Sequence, residues 1–436
     1  MLEKITPYVG VAALASPMEV GADRAERAAS ELGRLLESAG CKVVNCGAVK
    51  SADQARKAGL GFAEKHVSSV VLAPTSWFED YLVLDLLEEC GVPVVLWPLP
   101  GMETGALCGT QQLGCYLKQL GKSWSAVFGE IRAGEQLDRC MRFLRASTLA
   151  HLLRRARIGM TGQRVRGMTY VAPNEISLKK IFGCRVVPLD LVGLLKAGRE
   201  SAPDLKKGVW ENVKKAAACM EVSDAAGLDA AGMYLAIKKA VEAEGLSALA
   251  FGCYPDFMGY ACLAASLLAD DGVPIACEGD VHGAVGMLIL QSLTGGPTHN
   301  TDWLDPLTDS SVVFTHCGSS SYALAADIKD IKLAKVRLAC QGVCSLFTAK
   351  TGPVTLVSIL PKGSDYQLAV IEGEAAPTEM VFPGNPLRVE FKAPVREIID
   401  WIFDEGIGHH WMAGYGHVAG EVTDLAGIIG LKLCVK

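Results

Sequence analysis

The chain has 436 residues, of which 50% are hydrophobic and 21% are charged, and its net charge is −6. At roughly 100–200 residues per domain, this length predicts two or three domains. This mildly acidic net charge excludes a strongly basic surface that would bind nucleic acid or an anionic membrane. Although the mean hydropathy is +0.26, the sequence contains no run of about 18 apolar residues, so we expect no membrane-spanning segment.

The first residues, MLEKITPYVGVAAL, lack the long apolar core of a signal peptide, and the 15 cysteines are odd in number and mostly lie in apolar segments. Both features favour reduced thiols and a cytoplasmic location. The sequence has no paired Cys-x-x-Cys motifs for structural zinc, no GxGxxG and no GxxxxGK[ST]. We therefore expect neither a zinc knuckle nor a nucleotide cofactor.

Residues 1–125 alternate between short apolar runs and amphipathic segments, which predicts an N-terminal α/β domain with a doubly wound parallel sheet. Predicted strands cover 8–14, 41–46, 67–73 and 92–97, and predicted helices cover 25–36, 53–66 and 80–90. Residues 126–155 show one long helical pattern with a basic end, and we predict a connecting helix there.

The same alternation of short apolar runs and amphipathic segments predicts a second doubly wound α/β domain over residues 156–298. Predicted strands cover 157–161, 185–189, 246–252 and 273–277, and predicted helices cover 175–182, 206–218, 230–243, 257–269 and 281–293. After Gly295 the helical periodicity fades, and turn-rich β segments predict a mainly antiparallel β-rich domain over 299–436. Its predicted strands cover 311–316, 354–360, 367–372, 387–391 and 431–435, with a helix over 395–403.

Glu278 directly follows the predicted strand 273–277, at the end where parallel sheets present ligand-binding groups. A carboxylate after so apolar a strand costs several kcal/mol unless a cation or hydrogen bonds satisfy it. The alternative is a carboxylate that complements the dipole of the following helix. His282 lies one helical turn later and could complete a metal pair, but a satisfied buried histidine is the favoured interpretation.

Six of the eight histidines, from His282 onward, lie in the second half of the chain, and three of them lie in GIGHHWMAGYGHVAGEV at 406–422. If this segment is extended, His409 and His410 point to opposite faces, so only one of them can join Glu278. Two carboxylates and one imidazole would suit Mn²⁺. Asp302 is the second candidate carboxylate, although an aspartate in a Gly/Pro/Thr-rich stretch is usually a loop residue. Surface histidines in a turn are the alternative for 406–422.

Three motifs make the sequence similar to the L-fucose/L-arabinose isomerase superfamily, in particular its fucose-isomerase-like branch. They are CEGDVHGA with Glu278, LTGGP followed by TDWLD with Asp302, and HHWMAGYGH with His410. The resemblance implies two α/β domains followed by a β-rich domain, and a Mn²⁺ or similar divalent ion held by these three residues. It also implies aldose–ketose isomerisation through an enediol, in which Glu278 and Asp302 remove and return the proton.

The resemblance has further implications for the surroundings of this site. His417 and Trp303 would contact the substrate or the metal ligands, and members of the family form homo-oligomers, hexamers or smaller, with sites near subunit interfaces. Trp77 is the candidate for an aromatic residue that reaches a neighbouring subunit's pocket.

Two other functions remain open at this stage: a sugar sensor without catalysis, and a metal-dependent aldolase or hydrolase that acts on sugar derivatives. The substrate also remains open among deoxy, plain and sulfonated hexoses and pentoses. A sulfonate would need basic partners, for which Arg24, Arg164, Arg166 and Lys179 are candidates.

Overall fold

The structure, a computed structural model, describes residues 5–436, so Glu3 and Lys4 of the N-terminal segment lie outside the described residues. The described chain forms two compact units. The N-terminal unit comprises residues 5–152 and 420–430, and the main unit comprises residues 153–419 and 431–436. The last part of the chain therefore contributes to both units.

The N-terminal unit is built on a five-stranded parallel sheet with apolar clusters on both faces. Its strands are β1 (Tyr8–Leu14), β2 (Lys42–Val49), β3 (Ser69–Pro74), β4 (Val94–Leu96) and β5 (Trp124–Ala126). Its first helices are α1 (Ala25–Ser38), α2 (Ala52–Glu64), α3 (Tyr81–Cys90), α4 (Ala106–Gln119) and α5 (Glu135–Leu153). The strand order β2-β1-β3-β4-β5 is that of a doubly wound sheet.

The connecting helix is shorter than the sequence pattern predicts. Of the predicted 126–155, only Glu135–Leu153 is helical. Residue 126 ends β5, and Gly134, immediately before the helix, has a φ of +140°, which only glycine adopts readily. The helix therefore begins after this glycine.

The second parallel sheet belongs to the main unit and has the order β10-β9-β6-β7. The strands of this region are β6 (Arg157–Thr161), β7 (Arg185–Leu189), β8 (Cys219–Met220), β9 (Ala248–Phe251) and β10 (Ile275–Ala276). The helices are α6 (Glu175–Ile181), α7 (Leu191–Glu200), α8 (Pro203–Ala216), α9 (Asp224–Glu244), α10 (Cys262–Asp270) and α11 (Val281–Thr294). Because all four strands are parallel, their carboxyl ends lie at one edge.

The remaining strands are mainly antiparallel, which confirms the predicted fold class. They are β11 (Thr298–Thr308), β12 (Ser311–Thr315), β13 (Lys332–Val336), β14 (Gln341–Leu346), β15 (Gly352–Lys362), β16 (Asp365–Ala376), β17 (Leu387–Glu390), β18 (His410–Tyr415) and β19 (Lys432–Val435), accompanied by helices α12 (Val395–Glu405) and α13 (Ala419–Ile429). Seven of them form a sheet in the order β15-β18-β11-β12-β17-β16-β19, which closes on itself because β15 also pairs with β16. β13 and β14 join β8 in a small separate sheet.

Helix α11 connects the parallel sheet of the main unit to the antiparallel one. It contacts β9 and β10 of the parallel sheet and β11, β15 and β18 of the antiparallel sheet. A helix packed on both sides must be apolar around most of its surface, and most of its residues are buried. The helix has only 14 residues, and no helix in the described part of the chain is long and apolar enough to cross a membrane.

Helix α13 packs within the N-terminal unit although it comes near the end of the chain. Asp424 Oδ2 accepts a hydrogen bond from Arg142 Nε at 2.7 Å, and Glu421 Oε1 accepts one from Arg145 Nε at 3.1 Å. Both arginines lie on α5, so two partly buried ion pairs join the two helices. β19 then returns to the main unit and pairs with β16.

Candidate functional site

The short loop between β10 and α11 presents Glu278 at the carboxyl edge of the parallel sheet. Glu278 has a φ of +63°, in the left-handed region that residues with a side chain rarely adopt. Such a conformation costs on the order of 1–3 kcal/mol and is typical of functional sites. Two residues later Asp280 caps α11, where its Oδ1 accepts the Gly283 N–H at 2.9 Å. The turn therefore places two carboxylates at the beginning of one buried helix.

The register of the antiparallel sheet supplies the other side of the site. Asp302 on β11 pairs with His410 on β18 and, on its other side, with Thr315 on β12, which His316 follows. The sequence predicted a loop around Asp302, but the structure shows a strand. The polar residues before Asp302 are buried between two neighbouring strands that satisfy their backbone groups.

His410 lies at the centre of the resulting cluster. Its Nε2 is 3.0 Å from Glu278 Oε2 and 3.6 Å from Asp302 Oδ1, while its Nδ1 is 2.8 Å from Asp280 Oδ2. His316 Nε2 lies 4.0 Å from Asp302 Oδ2. Two overlapping sets, Glu278/His316/His410 and Asp302/His409/His410, each have ligand atoms within 4.8 Å of one another.

The donor set fits a divalent cation. Asp302 Oδ1 is buried with no hydrogen-bond partner in the described structure, and an unpaired buried carboxylate oxygen is costly unless a cation satisfies it. Asp280 can accept the His410 Nδ1 proton and so leave Nε2 free as a ligand atom. Metal-binding histidines in proteins commonly donate to a carboxylate in this way. Carboxylate oxygens and imidazole nitrogens are ligands that Mn²⁺ accepts.

The pKa of His410 reflects its carboxylate neighbours. Burial by itself would lower this pKa, but the hydrogen bonds to Asp280 and Glu278 outweigh burial and raise it to about 10. Burial likewise opposes the charge on Glu278, yet its bond to His410 and the nearby histidines lower its pKa. Without metal the imidazole therefore holds a proton between two carboxylates. A metal that binds at Nε2 has to displace this proton.

Of the two adjacent histidines, His410 is the one that contacts Glu278. His409 is exposed, and its Nδ1 lies 3.0 Å from the Tyr170 hydroxyl, with its ring centroid 4.3 Å from that of His410. The pKa of His409 is lowered by partial desolvation of its ring nitrogens, although the residue as a whole is exposed, and by the neighbouring His410. His409 and Tyr170 therefore lie at the exposed side of the cluster.

The other residues that the resemblance implied lie in different surroundings. Trp303 points to the opposite side of β11 from Asp302, where its ring packs on Phe314 at 5.0 Å, and it lines a cavity of about 560 Å³ together with His409. His417 is 48% exposed and its Nε2 lies 3.2 Å from Glu374 Oε1, outside the His410 cluster.

Trp77 belongs to the N-terminal unit, where its backbone N–H donates to the backbone oxygen of Thr104. His282 is buried against the Tyr366 hydroxyl at 3.2 Å, as the favoured interpretation predicted.

Sequence reasoning missed three residues of the cluster, namely Asp280, His316 and Tyr170. Asp280 carried a usable signal, because an aspartate immediately before an apolar helical run is a typical N-cap. His316 was already predicted at the end of a strand, but nothing in the sequence showed that this strand would lie beside Asp302. Tyr170 lies in a short 3₁₀ helix, Thr169–Val171, whose sequence has no pattern that indicates a site.

A glycine contact holds the loops at this sheet edge together. A Cβ on Gly252, directly after β9, would lie 2.3 Å from the backbone oxygen of Gln163 and 2.6 Å from its nitrogen. Gly252→Ala is therefore expected to lower the free energy of unfolding by about 1–3 kcal/mol through overpacking. Gly208→Ala, within α8 and with no atom near its Cβ, serves as control and should raise it by about 1 kcal/mol. Chemical denaturation of both variants checks the difference, and equal stability would contradict the close contact.

Comparison with known proteins gives consistent relatives along most of the chain. Sulfoquinovose isomerase of Priestia aryabhattai is 26% identical over 381 residues, which cover 84% of this chain and 85% of that protein. Proteins of the same name match from Alkalicoccus urumqiensis, 24% identical over 380 residues with the same coverage, and from Clostridium sp. (strain MSTE9), 26% identical over 366 residues, 78% of this chain and 80% of that protein.

Two further comparisons add no argument. No protein-family model matches the chain. The crystal structure of a galactofuranose binding protein aligns with 67% of this chain and 90% of its own at 15% identity, but its TM-score of 0.17 is too low to support a comparison of folds.

The aligned residues make up 84% of this chain for the first two relatives and 78% for the third. These relatives bear the same name in organisms of different genera, and the name denotes a sugar isomerase. Together with the predicted fold class, these relatives confirm the resemblance of the chain to the L-fucose/L-arabinose isomerase superfamily and support its assignment as an aldose–ketose isomerase.

Proposed function

We propose that this chain is a metal-dependent aldose–ketose isomerase whose metal ligands are Glu278, Asp302 and His410. The observation that carries the proposal is the convergence of these three side chains from two sheets, with an unpartnered carboxylate oxygen on Asp302. His316 and His409 lie close enough to be alternative ligands. The fit of the donor set favours Mn²⁺ or a similar ion.

Aldose–ketose isomerisation moves one proton between C2 and C1 and a second proton between the two oxygens. A bound divalent cation would supply Lewis acidity, which makes the C–H next to the carbonyl more acidic. Glu278 is mostly buried, and its lowered pKa keeps it ionised at neutral pH, so it can accept the carbon-bound proton. Asp302 lies at the same nitrogen of His410, Nε2, as Glu278 and can serve the other carbon or the oxygens. The opposite assignment of the two carboxylates uses the same geometry.

The surroundings limit the entry of water at the reacting carbons. His410 and Asp280 are almost fully buried, with side chains 3% and 4% exposed, whereas Asp302 is 31% exposed. The cluster is therefore closed toward α11 and open on the side of Asp302 and His409. A sugar that enters from that side can place its carbonyl end against Glu278, while Asp280 holds His410 in position.

Proton NMR in D₂O tests the proposal. Metal-free protein, prepared with EDTA and then supplied with Mn²⁺, is incubated with a panel of aldoses, ketoses and sugar lactones. Sulfoquinovose is the first aldose to test because of the relatives' name. We expect ketose formation with deuterium incorporated at C1 or C2, and loss of both signals in EDTA.

Each other outcome contradicts a stated part of the proposal. Isomerisation without deuterium incorporation would argue against proton transfer by the carboxylates. Lactone hydrolysis or carbon–carbon cleavage without ketose formation would favour a hydrolase or an aldolase. Sugar binding without any turnover by the Mn²⁺-loaded protein would indicate a sensor. Full activity in EDTA would exclude an essential metal ion.

The oligomeric state and the role of Trp77 stay predictions of the resemblance. We propose a homo-oligomer, a hexamer or smaller, with sites near subunit interfaces and with Trp77 at a neighbouring pocket. We also propose a cytoplasmic location, which the odd number of cysteines and their mostly apolar sequence surroundings favour.

A further inference from the structure

A cavity of about 390 Å³ lies next to the turn that contains Glu278. The segment that follows β6 forms one wall with Arg164 and Arg166, and Gly279, the residue after Glu278, forms part of another wall. Ala172 and Pro173 also line the cavity. Two guanidinium-bearing residues thus share one cavity at the carboxyl edge of the parallel sheet.

Backbone contacts hold residues 163–166, the arginine segment, against the turn of Glu278 and Gly279, which we call the catalytic turn. Gly279 has a φ of +72°, and a Cβ on it would lie 3.2 Å from both the nitrogen and the Cα of Arg164. On the other side, the backbone of Gln163 is in close contact with Gly252. The arginine segment and Glu278 are therefore parts of one packed set of loops, so the cavity lies at a fixed and short distance from the proton-transfer carboxylate.

The two arginines are available for a ligand. Among the described residues 5–436, neither has a carboxylate within ion-pair distance, and the only side-chain hydrogen bond of Arg164 goes from one guanidinium nitrogen to Val165 O at 3.1 Å. Both residues are exposed. The other two basic candidates from the sequence have backbone partners, because Arg24 donates to Thr75 O and Lys179 donates to Gly183 O.

Arg164 and Arg166 supply positive charge next to a cluster that is otherwise rich in carboxylates. Glu278, Asp280 and Asp302 concentrate carboxylates at the end of the site that would hold the sugar's carbonyl, so a negatively charged group of a substrate is better placed away from them and next to positive charge. Guanidinium groups match the oxygens of tetrahedral anions with paired hydrogen bonds. The arginine cavity is the place beside the catalytic turn where such an anion would find positive charge.

We propose that Arg164 and Arg166 form the subsite for an anionic group, a sulfonate or a phosphate, at the end of the sugar remote from its carbonyl. This inference rests on the proposed isomerase function, since the carbonyl end is taken to lie at Glu278 and Asp302. It makes an anionic aldose the substrate class and the arginine pair the determinant that selects it over neutral aldoses.

The test compares the kcat/KM of four proteins on three sugars. The proteins are the wild type, Arg164→Gln, Arg166→Gln and the control Arg185→Gln, which changes an exposed arginine at the amino end of β7. The sugars are glucose, glucose 6-phosphate and sulfoquinovose, so that phosphate and sulfonate are distinguished. We expect the wild type to prefer an anionic sugar, and each cavity variant to lower the ratio of anionic to neutral kcat/KM by about 10-fold. Arg185→Gln should leave the ratio unchanged.

A binding measurement makes the result independent of turnover. The sugar alcohol of sulfoquinovose carries the sulfonate but has no carbonyl, and calorimetry should show its affinity falling by about 10-fold in each cavity variant. Arg164→Lys should restore only part of the affinity, because lysine lacks the planar fork. Thermal unfolding of each variant confirms that it is folded.

The outcomes separate the subsite from the proposed function. If the wild type isomerises no sugar in the panel, the proposed function fails. If it isomerises sugars but the ratio and the affinity are the same in both cavity variants, only the arginine subsite is wrong. Equal use of neutral and anionic sugars by the wild type would also overturn the subsite.

Discussion

Replacing Glu278 by glutamine should lower the rate of sugar isomerisation by about 1,000-fold or more. General acid–base groups contribute about 10²–10⁴-fold to such rates, and glutamine cannot accept a proton from carbon. The side chains have nearly equal size, so the fold around the φ of +63° at this position should be retained. Deuterium incorporation by NMR at saturating Mn²⁺ measures the loss.

A matched substitution separates this effect from a change in surface charge. Glu379→Gln removes an exposed carboxylate from the same unit and should keep the wild-type rate. Because Glu278 is also a proposed metal ligand, the Mn²⁺ bound by the glutamine variant has to be measured alongside. A Glu278→Gln protein that exchanges deuterium at the wild-type rate would remove this carboxylate from the mechanism.

Asp280→Asn should weaken Mn²⁺ binding by about 10- to 100-fold, the range for residues that orient metal ligands. Asp280 accepts the His410 Nδ1–H at 2.8 Å and is itself buried. Its negative charge makes the imidazole a better donor through Nε2. Asparagine can still cap α11, so the helix should form while the charge next to His410 is lost. Free Mn²⁺ can be counted by electron paramagnetic resonance during a titration.

Asp190 provides the control, because it caps α7 in the same manner, with Val192 N–H donating to its Oδ1 at 3.0 Å. Asp190→Asn should bind Mn²⁺ as the wild type does. If both variants behave alike, Asp280 has only a capping role, and His410 needs no charged partner to bind the metal.

The sequence predicted several strands of the parallel sheets well because their central residues are apolar and buried. The predicted ranges 8–14, 157–161 and 185–189 coincide with β1, β6 and β7. Such strands are apolar runs bounded by polar residues, so composition alone reveals their ends. The character of the third region, mainly antiparallel, was predicted from its turns, and the structure confirms it.

The strands that carry Asp302 and His410 were harder to recognise. β11 contains Asn, Asp and Pro, and β18 contains Gly, and these residue types are all depleted in strands. Both become strands because each pairs with neighbours on both sides. The motifs nevertheless pointed to the three side chains that meet, since recognition of a motif does not require its secondary structure. Asp280 and His316 were missed because their roles depend on pairing between distant segments.

On the ribosome, the N-terminal unit cannot be completed when residue 152 emerges. Most of its helix α13 is encoded after residues 153–419, so Arg142 and Arg145 lack their carboxylate partners until Glu421 and Asp424 have been synthesised. At about 5–20 residues per second, translation of the intervening segment takes tens of seconds or less. During that interval all five strands of the first sheet are available to pair, but α5 lacks its contacts with α13. The final steps of folding of the two units are therefore tied to the same late stretch of polypeptide.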